Sequence, residues 1–108
     1  MQEMLIVTTE TIVGKEIIEV KGLVRGSTIR SKHIGNDIAA AFKNLAGGEL
    51  NSYNEMLIEA RQIAIGRMVE DAKEKGANAI IGMRLMSSSV MSSAAEMVAY
   101  GTAVVIND

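Results

Sequence analysis

Residues 47–82, GGELNSYNEMLIEARQIAIGRMVEDAKEKGANAIIG, constrain the fold more than any other stretch. They read as a glycine turn, an amphipathic helix, a glycine stop and a buried strand. Ser52-Tyr53-Asn54-Glu55 has the form of a capping box, in which the Ser52 hydroxyl accepts from the Glu55 amide while Glu55 reaches back. A helix opened there is predicted to run to about Lys75. Gly76 ends it, because glycine accepts the left-handed conformation of a helix terminus. Lys73 and Lys75 suit the negative end of the helix dipole. On a wheel at about 100° per residue, Leu57, Ile58, Ala64, Ile65, Met68, Val69 and Ala72 fill an arc of roughly 140°. Glu55, Glu59, Gln62, Glu70 and Lys73 lie outside it, and Arg61 lies inside.

Arg61 is therefore the residue to explain. A guanidinium stays charged, so burial demands a carboxylate, carbonyls or a bound anion. A structural ion pair is the favoured explanation, with Glu49 as first partner and Glu96 as second. An anion or ligand site between subunits is the alternative.

The remaining elements follow from period and punctuation. Met4–Thr8 is a short apolar run, read as a buried strand. Glu16–Ser31 is β-branched and broken by Gly22 and Gly26, which predicts one long bent strand or two short ones. Ile34, Ile38, Ala41, Phe42 and Leu45 fall at helical spacing, with Asn36 or Asp37 as cap and Gly47-Gly48 as stop. A strand is expected from Ala79 to Ser87, then a flexible connection through Ser87, Ser88, Ser89, Ser92 and Ser93. A last strand, Met97–Ile106, carries Val98, Tyr100, Thr102, Val104 and Ile106 at one parity. The expected fold is α+β: two layers in one domain over residues 1–108, with helices on one face of a small antiparallel sheet. The other sheet face, with Val105 and Val7, would then lack cover and call for a second copy.

Composition supports self-association. The chain is 48% hydrophobic but only 3% aromatic, so Ile, Val, Leu, Met and Ala must build the core. A domain of 108 residues has an unfavourable surface-to-volume ratio, and its mean hydropathy is +0.20. A net charge of -2 argues against nucleic acid as the main ligand. The absence of cysteine excludes disulfides, zinc–thiolate sites and thiol nucleophiles. No basic, apolar leader opens the chain and no apolar run approaches the roughly 20 residues of a membrane span, so a cytoplasmic protein is expected.

Chemistry-bearing motifs are few. Gly47-Gly48-Glu49 lacks the Lys and Ser/Thr of a phosphate loop, and Gly22–Gly26 lacks a dinucleotide fingerprint. His33, the single histidine, sits beside Arg30 and Lys32 and reads as a surface residue. Met83, Met86, Met91 and Met97 suggest copper(I), but methionine is also an adaptable core filler where aromatics are scarce. No cofactor is called for, and no acid–base or nucleophile constellation points to an enzyme.

Gly47-Gly48-Glu49, Tyr53, Ala60-Arg61, Ala72, Gly76-Ala77-Asn78-Ala79 and Tyr100-Gly101-Thr102-Ala103-Val104 resemble the YbjQ-like family across nearly the whole chain. These are small bacterial and archaeal proteins of unknown function, labelled "putative heavy-metal-binding". The resemblance implies a dodecin-like two-layer subunit and a homopentameric ring or a multiple of it. It brings no catalytic residue. Two functions follow: a non-enzymatic oligomeric scaffold or small-ligand binder with its site between subunits, or a metal-binding or metal-sensing protein. The second needs His33, Glu49, Glu96 or methionines gathered across an interface.

Overall fold

The computed structural model describes residues 3–31, 48–91 and 94–107. In chain order these form β1 (Leu5–Ile6), β2 (Ile17–Ser31), α1 (Gly48–Glu74), β3 (Ala79–Met91) and β4 (Ala94–Ile106). One open, four-stranded sheet has the order β1-β3-β4-β2, with α1 packed on one face. The helix expected over residues 34–46 lies outside the described residues.

Three sequence expectations need correction. The sheet is mixed: β4 runs antiparallel to both neighbours, but β1 pairs with β3 in parallel. Parallel neighbours require a crossover, and the chain between β1 and β3, which includes α1, supplies it. The helix begins at Gly48, so Ser52 lies in its second turn and not at its N-cap. One glycine at a helix end costs only about 1 kcal/mol, which the following turns offset. Ser87, Ser88 and Ser89 belong to β3 and do not form a flexible connection. Their register opposite Met97, Glu96 and Ala95 places their backbone in the β3–β4 ladder, and that pairing outweighs the weak strand preference of serine.

The helix stop was legible. Ala77 N donates to Ala72 O at 3.0 Å and Gly76 N to Lys73 O at 3.0 Å, the two bonds of a Schellman motif. Gly76 has φ 81°, a conformation that strongly favours glycine.

The main core lies between α1 and the sheet. Ala60, Ala64, Met68 and Ala72 are fully or almost fully buried against Val24, Ile80, Met97, Ala99 and Ala103. The small residues bring the helix backbone almost onto β2. A Cβ on Gly26 would overlap Ala64 O and Met68 N, and would sit 2.7 Å from Arg67 Cβ.

A smaller cluster covers one end of the opposite face. There Ala79, Val104 and Ile106 pack with Ile12, Ile17 and Ile81. Asn78 extends this end by imitating a strand residue. Its Oδ1 accepts from Ile106 N at 2.8 Å and its Nδ2 donates to Ile106 O at 3.0 Å. Asn78→Ala leaves both partly buried groups unpaired and should cost about 1–3 kcal/mol, measurable by urea denaturation at fixed protein concentration.

The molecule is elongated. Its radius of gyration is 17.3 Å, and its extents are 53 × 24 × 21 Å. A compact domain of this length has a radius of gyration of about 13 Å.

Candidate functional site

Strand register decides which side chains share a face. β4 alternates without a bulge, so Met97, Ala99, Gly101 and Ala103 face α1 while Glu96, Val98, Tyr100 and Thr102 face away. On β2, Leu23, Arg25, Ser27 and Ile29 lie opposite Thr102, Tyr100, Val98 and Glu96. On β3, Arg84, Met86 and Ser88 lie opposite Tyr100, Val98 and Glu96. The face away from α1 thus carries three rows: Arg25–Tyr100–Arg84, Ser27–Val98–Met86 and Ile29–Glu96–Ser88.

This face holds apolar side chains without cover among the described residues. Leu23 is 64% exposed, Ile29 60% and Met86 54%. Among the described residues this face has exposed apolar side chains, but Val105 is not on it. Val105 has the parity of the helix-facing residues, and Val7 is half-buried where it pairs along β3. The row with two arginines and a tyrosine was not legible, because it needs the register of three strands. Arg84 is partly committed: its Nη1 donates to Thr8 O at 3.0 Å and Met83 O at 2.9 Å.

Arg61 is half-buried on α1. The wheel puts it inside the apolar arc, yet the buried line runs Ala60–Ala64–Met68–Ala72. That line follows an i, i+4 ridge, which winds about 40° around the helix with each step. At the level of Arg61 the contact passes through Ala60, about 100° away. A wheel collapses the axis and hides this drift. Among the described residues no hydrogen bond or ion pair holds the Arg61 guanidinium.

Its two candidate partners are not brought to it within one copy. Glu49 lies on the first turn of α1, with its side chain outside those described. Twelve residues of helix separate the two Cα atoms by about 18 Å, beyond a direct pair. Glu96 is half-buried on the sheet face away from α1. His33 lies outside the described residues.

The methionines divide. Met68 and Met97 are core residues, Met4 and Met83 pack against that core, and Met86 points from the opposite face. Met83, Met86 and Met97 therefore do not form one thioether cluster within a copy. Among the described residues there is no group of three or more His, Cys, Asp or Glu that could hold a metal ion. No helix among them is long and apolar enough to cross a membrane.

Helix α1 also touches the sheet edge with polar groups. Arg67 Nη1 donates to Ser27 O at 2.7 Å, and Arg25 N donates to Asp71 Oδ2 at 3.3 Å. Asp71 Oδ1 accepts from Lys75 Nζ at 2.8 Å. The Lys75 hydrogen bond, helped by the Arg25 amide, holds the Asp71 carboxyl below the usual carboxylate range against a raising effect of burial.

Residues 4–107 match the YbjQ family, described as "Putative heavy-metal-binding". A UPF0145 protein of Clostridioides difficile strain 630 is 73% identical over 105 residues, spanning 97% of this chain and 94% of that protein. A UPF0145 protein of Methanosarcina acetivorans is 55% identical over 103 residues, spanning 95% and 97%. A solved protein of unknown function from Pediococcus pentosaceus, of the DUF74 family, shares the fold with a TM-score of 0.62. It is 20% identical, with 96% of this chain and 98% of that chain covered.

Proposed function

Since the chain belongs to the YbjQ family, whose description is heavy-metal binding of putative standing, we propose that it acts as a homo-oligomer that holds its ligand between copies. The proposed assembly is a pentameric ring or a multiple of one, built from subunits of dodecin type. The proposed role is non-enzymatic: a scaffold that captures a small anion or a metal ion. The observation that carries this reading is the apolar face bearing Leu23, Ile29 and Met86. The extended shape supports it, since a lone small domain gains by burying such surface.

Arg61 fits the same reading. In this reading its candidate partners Glu49 and Glu96 meet it from a neighbouring copy, and Arg61 is one half of an inter-subunit ion pair or a ligand residue there. The family description favours a metal ion as the first ligand to test. With no suitable group in one copy among the described residues, donors such as Glu96, Met86 and His33 would have to gather from several copies.

The test is native mass spectrometry of untagged protein purified without added metal, then titrated with zinc and copper(I). Multimers are expected, with metal bound in whole-number ratio to the multimer. Leu23→Ser combined with Ile29→Ser should weaken association by about 3 kcal/mol, roughly a hundredfold in Kd. A monomer mass at micromolar concentration would refute the assembly. A metal ion retained by a dissociated monomer would refute a site between copies.

A further inference from the structure

We propose that Arg67 and Asp71 guard the outer edge of β2 against the addition of another strand, so that copies of this chain meet through other surfaces. β2 has β4 on one side, and among the described residues no strand pairs with its other side. A 15-residue strand with one free edge is a template for further pairing, including pairing with a second copy. Native proteins block such edges with charged side chains, or cover them with a helix or loop.

The geometry here does both. Peptide groups of alternate residues point to the same edge, so those of Leu23, Arg25, Ser27 and Ile29 form one outward row. The middle of that row is occupied. Asp71 takes the Arg25 amide, and Arg67 takes the Ser27 carbonyl. An incoming strand would need that same amide and that same carbonyl. Arg67 and Asp71 lie four residues apart, so they project from one side of α1. Lys75, one turn further, holds the second Asp71 oxygen. Gly26, between the two guarded residues, lets the helix come close enough for both side chains to reach. Loss of two neighbouring pairing positions divides the row, leaving Leu23 and Ile29 too far apart for continuous pairing.

The bonds also dock the helix, so the test must separate guarding from plain stability. The variant R67A/D71A is compared with Asn78→Ala, which is destabilised away from this edge. Amide exchange is read at Arg25, association by sedimentation velocity, and β-polymer by thioflavin fluorescence. In R67A/D71A the Arg25 amide should exchange about tenfold faster. That variant should form β-rich polymers that wild type and Asn78→Ala do not. Polymers formed equally by Asn78→Ala, or a folded R67A/D71A that forms none, would overturn the proposal. If the double variant fails to fold, Asp71→Ala is compared with Asp71→Asn, which keeps an acceptor oxygen for the Arg25 amide. Polymer from the first and not the second upholds the guard, and identical behaviour overturns it.

Discussion

Gly26→Ala should lower stability by about 3 kcal/mol, at the upper end of overpacking effects, because the added methyl meets backbone and not a yielding side chain. In a chain of this size that corresponds to a fall in Tm of about 10–20 °C, read by circular dichroism at one protein concentration. The overlapped atoms, Ala64 O and Met68 N, belong to the middle of α1. Relief requires the whole helix to lift from β2, which opens the packing of Ala60, Met68 and Ala72 together. It would also draw Arg67 and Asp71 away from the β2 edge. A variant with wild-type Tm would show that the helix does not cross β2 at this glycine.

Met68→Ala should cost about 2–5 kcal/mol, since a fully buried methionine leaves both lost contacts and a cavity. Met86→Ala should leave the stability of a subunit nearly unchanged, because its side chain is mostly exposed and on the other face. Its effect should appear in assembly, as a lower mass at a given concentration. The contrast distinguishes a methionine that fills space from one that meets a partner. Equal destabilisation by both substitutions in dilute protein would mean that Met86 is covered within the subunit. Copper(I) titration of the two variants adds an independent readout, because the buried Met68, unlike Met86, offers no sulfur to solvent.

Local signals carried well from sequence to structure. The Gly76 stop depends on neighbouring residues alone: two hydrogen bonds across one turn and a single positive φ. The alternating run from Val98 to Thr102 is a strand for the same reason, since period two is written in consecutive side chains. Scarcity of aromatics correctly pointed to an aliphatic and methionine core, as Met68, Val24, Ile80 and Val104 show. The serine-rich stretch reads as a loop yet is strand, because Ser87, Ser88 and Ser89 have weak preferences of their own and distant β4 decides their state. The cap at Ser52 failed for a related reason: a good local signal does not prevent a helix from starting earlier.

The candidate site was legible only in part. Arg61 was singled out by a real anomaly, a charge within an apolar arc. How deeply it sinks depends on the angle at which α1 crosses the sheet, and no helical wheel contains that angle. The grouping of Arg25, Tyr100 and Arg84 depends on register between strands up to about 75 residues apart in sequence. The sequence by itself determined the types of β1, β2, α1 and β4, the helix terminus, the α+β class and an apolar face that α1 leaves exposed. Tertiary structure alone decided the parallel β1, the helix crossing at Gly26, the opposite faces of Arg61 and Glu96, and the Arg67–Asp71 hold on β2. The physical reason is the range of the forces involved. Periodicity and caps act over a few residues of one chain segment, whereas crossing angle and register come from close packing between segments that share no local signal.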